Sequence, residues 1–149
     1  MLDGDRLIRF PPNPRHELIC DRLHRVVETC LTHVATSRRH LPRTAIDVAP
    51  NTSIRPDLAL TTIATNKLWL AAEIVDPGDH HVDTVLKKAL YEDLRIPRLW
   101  MIDPRYDNVE IYYGTTHGLQ LVTILAGRQV LTEKLLPTLR LIIDDLFRP

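Results

Sequence analysis

The spacing of apolar residues changes period along the chain, and each change predicts an element. Asp5 to Phe10 alternates like a short first strand and is stopped by PPNP. Asn13 then offers an N-cap side chain and Pro14 a preset first helical position, which predicts a helix. Ile19, Leu23, Val26, Val27, Cys30, Leu31 and Val34 recur on one face of that helix. Glu17, Asp21 and Glu28 fall on the other, and His16 lies on the buried side of the first turn. Thr44 to Val48 and Ile54 to Leu60 alternate like strands, whereas Leu68 to Val75 is apolar on both sides except at Glu73, like a central strand. The DPGD turn precedes a second helix over about His81 to Leu94, with Val82, Val85, Leu86, Ala89 and Leu90 on its apolar face. Arg98 to Ile102 is another apolar strand. Val109 to Tyr113 and Leu119 to Leu125 flank GTTHG as a hairpin, and LPTLRLIIDDLF closes the chain in a strand or a short packed segment. The order predicts an α/β fold of the mixed α+β kind, a mixed sheet with a covered centre flanked by helices.

Length changes this picture little: 149 residues, 44% hydrophobic, suit one domain with its own core. Charge changes it more. The formal net charge is zero, so any surface for a polyanion must be local. Residues 1–43 hold eight Arg against five acids, which makes the N-terminal third the electropositive part. No apolar run approaches the ~20 residues that span a bilayer, and MLDGDRLIRF lacks the pattern of a signal peptide. Cys20 and Cys30 share one predicted helix about 15 Å apart, beyond disulfide reach. These features predict a cytoplasmic protein with two buried thiols and no membrane partner.

Two acids stand where core residues are expected, Asp57 and Glu73. If their strands pair as an antiparallel hairpin with the turn centred on Thr65, opposed residue numbers sum to 130 and the two carboxylates face each other. Such a pair needs a cation or a shared proton, and hard oxygens at that separation suit Mg²⁺ or Mn²⁺. A register shift of one or two residues instead separates them and leaves Asp57 to cap a strand after Pro56. Lys87, at the edge of the second helix beside Leu90 and Leu94, can extend its ammonium to the sheet end. Its alternative is a helical ion pair with Asp83.

The residues PD at 56–57, AEIVDP at 72–77, D-x-x-x-K-x-x-x-Y at 83–91 and IPRLWMIDP at 96–104 resemble the Uma-type restriction endonuclease family, a branch of the PD-(D/E)xK nuclease superfamily. LDGDRLIRFPPNPRHELICDRL and the closing LPTLRLIIDDLF are similar to that family as well, so the resemblance covers nearly the whole chain. It implies one nuclease-like domain over residues 1–149, with Asp57, Glu73 and the backbone carbonyl of Ile74 as ligands of Mg²⁺ or Mn²⁺. The superfamily's usual lysine, two residues after the second acid, is Val75 here; the resembling family carries it on the next helix, at Lys87. The implied activity is metal-assisted phosphodiester hydrolysis, with DNA as substrate and a homodimer as the working form. Lys87 would orient the water, and His16 would touch substrate or a ligand water. Asp76 stands where the family has Ser and adds negative charge beside the substrate, while Arg98 and Leu99 replace an acid and an aromatic.

Two other readings use different residues. A binding module on a nuclease fold fits the neutral net charge. A metal enzyme built on Asp79, His80 and His81 lacks zinc-ligand spacing, and these histidines read better as solvated residues at a helix start. Trp69, Trp100, Tyr112 and Tyr113 are placed to stack on bases, but their strand positions favour core or subunit-contact roles.

Overall fold

The first helix, α1 (Pro14–Leu31), begins where Asn13 and Pro14 predict. Asn13 Oδ1 accepts the His16 backbone N–H at 2.8 Å, satisfying one of the donors a helix start leaves open. The computed structural model describes residues 13–78 and 82–149. The expected first strand over Asp5 to Phe10 and the residues Asp79, His80 and His81 lie outside them.

Among the described residues ten strands follow α1: β1 (Ser37–His40), β2 (Ile46–Ala49), β3 (Thr52–Ile54), β4 (Leu58–Thr62), β5 (Leu68–Ile74), β6 (Arg98–Asp103), β7 (Asn108–Thr115), β8 (Gly118–Ala126), β9 (Val130–Glu133) and β10 (Leu136–Ile142). A π-helical turn (Val82–Leu86) and α2 (Lys87–Asp93) connect β5 to β6, and α3 (Ile143–Phe147) follows β10. Among the described residues the main sheet has the order β1-β4-β5-β6-β7-β8, in which only β5 and β6 run parallel, joined by the helical crossover that parallel pairing requires. β2 pairs with β3, and β9 with β10, in two small antiparallel sheets. This is the mixed α+β architecture the pattern predicts.

The core divides by strand parity. Leu58, Leu60, Leu70, Ala72, Ile74, Trp100 and Ile102 face α1, β10 and α3. Ala59, Ala71, Val75, Leu99 and Met101 face the other way, where they pack with Ile46, Ile54 and the α2 residue Tyr91. Glu73 has the parity of Ala71 and Val75, so a carboxylate occupies a core position on the α2 side. Trp69, Trp100 and Tyr112 are buried, and Cys20 and Cys30 are buried free thiols.

Three expectations are corrected, and one strand appears that the pattern did not predict. Ile54 to Leu60 is not one strand: Ile54 ends β3 and Leu58 opens β4 in a different sheet. Pro56, which has no N–H for a ladder, marks the crossing. The polar run SRRH at 37–40 is a strand, β1, paired with β4 at the sheet edge; a half-exposed edge imposes no apolar alternation. The second helix begins with a π turn, whose wider winding shifts every wheel position after it. Its expected apolar face is buried only in part: Val85 and Leu86 are exposed, Leu90 packs half-buried against the core, and Tyr91 is the fully buried α2 residue.

Candidate active site

The site starts from strand register. β4 and β5 pair as Leu58 with Ala72, Ala59 with Ala71 and Leu60 with Leu70, each summing to 130, before a bulge at Thr61 shifts the ladder. Continuing that register by one residue sets Asp57 across from Glu73. Asp57 Oδ2 accepts the Ile74 backbone N–H at 2.8 Å, locking the acid to the end of β5. A residue in an extended strand turns its N–H and C=O toward the same neighbour, so the Ile74 carbonyl faces the Asp57 side as well.

Cations and donors converge on both acids. Lys87 Nζ donates to Glu73 Oε1 at 2.9 Å, and Tyr91 Oη donates to Glu73 Oε2 at 2.5 Å. Lys87 and Tyr91 stand four residues apart, one turn of α2, so they share a face. His16 Nε2 donates to Asp57 Oδ1 at 3.0 Å from the first turn of α1. Arg43 Nη1 donates to the same oxygen at 3.1 Å while Arg43 Nη2 pairs with Glu17 at 2.9 Å. Asp57, Glu73, Ile74, Lys87 and His16 are thus brought together. Asp76, two residues beyond Ile74, accepts the Gly78 N–H at 2.8 Å in its own turn.

Three contributors were not singled out from sequence. Arg43 follows an edge strand in a loop, with φ of 58°, a left-handed conformation that costs a non-glycine residue roughly 1 kcal/mol or more. Its backbone N–H bonds to the Pro56 carbonyl at 2.9 Å, which fixes the loop against the residue before Asp57. Tyr91 ends the D-x-x-x-K-x-x-x-Y pattern, and its spacing from Lys87 was the available signal. His24 is buried on α1 and donates Nε2–H to the Asp57 carbonyl at 2.6 Å. Its Nδ1 accepts from Arg39 Nη1 at 2.7 Å, and since a guanidinium only donates, this network assigns His24 as neutral.

The electrostatics follow. Burial alone would raise Asp57, but the His16 hydrogen bond and charge, the Ile74 N–H and Lys87 together hold it below the usual carboxylate range. Burial raises Glu73, and Asp57's charge adds to that; Lys87 and Tyr91 oppose it without reversing it. Two facing acids with opposed shifts are the arrangement in which one carboxylate stays ionised and its neighbour titrates more readily. Burial lowers His16, yet the bond and charge of Asp57 leave it raised overall. Burial and the Asp57 charge push the Cys20 thiol up to about 12, so it is neutral.

A divalent cation fits this donor set. Each carboxylate oxygen has about two acceptor positions. Asp57 Oδ1 uses both, for His16 and Arg43, whereas Asp57 Oδ2 and both Glu73 oxygens each accept one bond. Hard oxygens therefore remain open on both acids. No group of three or more His, Cys, Asp or Glu gathers among the described residues. The donor set suits an ion that keeps most of its waters, as Mg²⁺ and Mn²⁺ do, rather than zinc.

The sequence matches the model of the Uma2 family, described as "Putative restriction endonuclease", over residues 1–144. The chain belongs to the Uma2 family. The computed fold is similar to the crystal structure of a "putative nuclease belonging to DUF820" from Anabaena variabilis, with a TM-score of 0.74 and 16% identity over 94% of this chain and 84% of that one. No curated protein matches the sequence. Where this chain departs from the family pattern at Arg98, the side chain pairs with buried Glu133 at 2.8 Å and stacks on Tyr113 at 3.7 Å, a packing role at the other end of β6 from Met101 and Glu73. Among the described residues, no helix is long and apolar enough to cross a membrane.

Proposed function

We propose that this Uma2-family chain is a metal-dependent endonuclease that hydrolyses phosphodiester bonds in DNA. The observation that carries the reading is the closure of Lys87 on Glu73 at 2.9 Å from a separate element, at the strand end where register brings Asp57. A neutral core has no need of this combination; a phosphate-cutting site does. Asp57, Glu73 and the Ile74 carbonyl would hold Mg²⁺ or Mn²⁺, which when bound supplies Lewis-acid charge to a phosphoryl oxygen and acidifies water.

The chain's own residues supply the rest. Lys87 orients the attacking water and stabilises negative charge that develops on phosphorus-bound oxygens. Tyr91 holds Glu73 in one rotamer. His24, fixed by Arg39, holds the Asp57 backbone, and His16 orients its carboxylate. Arg43 serves as the phosphate contact. Because Asp57 Oδ1 has no acceptor position left, engagement of that oxygen requires one donor to withdraw; Arg43 is 35% exposed and His16 only 11%, so Arg43 is the one free to turn outward. A guanidinium at the site mouth then meets an incoming phosphate bidentately.

One observation favours a second reading, a catalytically inactive binding module. Every oxygen of both acids already accepts a bond from a protein group, as in a self-contained structural ion cluster. Cleavage of plasmid and single-stranded substrates with Mg²⁺ or Mn²⁺, beside Asp57→Ala, Glu73→Ala and Lys87→Ala proteins, separates the two. Metal-dependent cutting lost in all three variants is the expected result. A parent that neither cuts nor binds metal belongs to the second reading.

A further inference from the structure

Consecutive residues of α1 reach different walls of the site. Arg15 Nη1 donates to the Pro104 carbonyl at 2.8 Å and Nη2 pairs with Asp107 at 2.6 Å, His16 bonds Asp57, and Glu17 pairs with Arg43. The Arg15 contacts fix the turn between β6 and β7 at the same end of the sheet as the two acids. Register gives its distance: Glu73 pairs with Met101 in the parallel ladder, so Asp103 stands two residues further along and one strand across, roughly 8 Å from Glu73 between Cα atoms. The turn is held from within as well. Asp103 accepts the Arg105 backbone N–H at 2.9 Å and binds the Arg105 guanidinium through both oxygens, at 3.0 and 2.8 Å. The Tyr106 N–H bonds the Asp103 carbonyl at 3.3 Å. On this braced turn Tyr106 is 68% exposed, the one exposed aromatic among the described residues. Trp69, Trp100, Tyr91 and Tyr112 are buried, and Arg98 covers Tyr113.

We propose that Tyr106 is a stacking platform for an unpaired base, which makes the substrate of this site a DNA strand unpaired beside the scissile phosphate. The proposal rests on the nuclease reading and adds the form of the substrate. In a duplex the faces of each base are covered by its neighbours, so a ring fixed on a protein turn stacks only on a base that has left the helix or never entered one. The chemistry of the turn favours a base over a phosphate. Arg15 is paired with Asp107 and Arg105 with Asp103, so the charges at the turn are matched and what remains on offer is the ring. Arg105 Cζ lies 5.1 Å from the ring centroid, backing one face of Tyr106 and limiting its freedom before a base arrives. Stacking also suits a chain of zero net charge, because it draws affinity from the bases rather than from the backbone. Arg43 then takes the phosphate and Tyr106 the base, with the start of α1 bonded to both walls.

The test reads binding without metal, by fluorescence anisotropy of the full chain with a single-stranded DNA oligonucleotide and with the duplex it forms with its complement. The parent is expected to bind the single strand more tightly than the duplex. Tyr106→Ala, at an exposed position and with unchanged circular dichroism, is expected to lose roughly 5- to 100-fold on the single strand, the worth of one stacked base, and little on the duplex. Tyr106→Phe, which keeps the ring, is expected to bind as the parent does. Equal single-strand binding by Tyr106→Ala and the parent, a Phe variant as weak as the Ala variant, or a parent that prefers the duplex would overturn the proposal; if that parent cuts DNA with Mg²⁺ or Mn²⁺, the nuclease reading stands without it. A parent that binds the single strand through Tyr106 and cuts nothing keeps the stacking site and removes the nuclease reading. A parent that binds neither form overturns both.

Discussion

Lys87 Nζ lies 2.9 Å from Glu73 Oε1, fourteen positions away along the chain and on a different element. A lysine that closes on a buried acid from a helix edge can neutralise that acid, position a water, or do both. Lys87→Met separates these roles, because it keeps the apolar stem and removes the ammonium. The proposed mechanism predicts loss of plasmid cutting by about 10²–10³-fold, with metal binding retained. Cutting within a few fold of the parent would assign Lys87 a purely structural role.

Arg43 shares Asp57 Oδ1 with His16 and is the more exposed of the two. Removing its charge should help a cation and hinder a phosphate. Arg43→Gln is therefore expected to bind Mn²⁺ more tightly and an inactive DNA complex more weakly, with the salt dependence of DNA binding reduced by about one counterion. Parallel calorimetric and fluorescence-anisotropy titrations read both. Changes in the same direction would contradict the assignment.

Tyr91 donates to a fully buried carboxylate and is itself 1% exposed. Tyr91→Phe keeps the ring and deletes the donor. Hydrogen bonds to charged groups contribute about 1.5–3 kcal/mol, so urea denaturation should show a midpoint lowered by that order with an unchanged slope. An unchanged midpoint would mean that Glu73 is held by Lys87 alone.

His16 and His24 predict opposite pH effects. Burial lowers His24 below its ordinary 6.5, and Arg39 reinforces this. The unfolded chain then binds the proton more readily, so His24 costs stability as pH falls from 6.5 through its folded value. His16 is raised: its contribution is present below 6.5 and is lost as pH rises through its folded value. Melting temperature against pH should fall less steeply on the acid side in His24→Gln than in the parent, and more steeply in His16→Gln. Identical profiles in all three proteins would contradict both assignments.

The sequence carried the acids and their register because each rests on a strong rule. An acid at a core parity position is conspicuous and a register sum of 130 follows from a turn at Thr65, but it was the family resemblance that singled out Lys87, because the π turn before it shifts the wheel positions that helical spacing predicts. Arg43 was not legible, since its approach depends on a left-handed loop residue and on a chain crossing at Pro56. His24 was hidden among apolar neighbours on a buried face, where a histidine reads as neither core nor site. The break at Pro56 was legible only as the alternative in which Asp57 caps a strand after the proline, since a proline inside a predicted strand argues for its end. β1 was not legible, because an edge strand of polar residues leaves no periodic trace.

The central claim is that Asp57 and Glu73 together hold a divalent cation. Calorimetric titration of Mn²⁺ into the parent, Asp57→Asn and Glu73→Gln proteins, each shown to be folded by circular dichroism, tests it without depending on a substrate. Saturable binding by the parent that is lost in both variants is the predicted result. No binding by the parent, or binding that both variants retain, would contradict it.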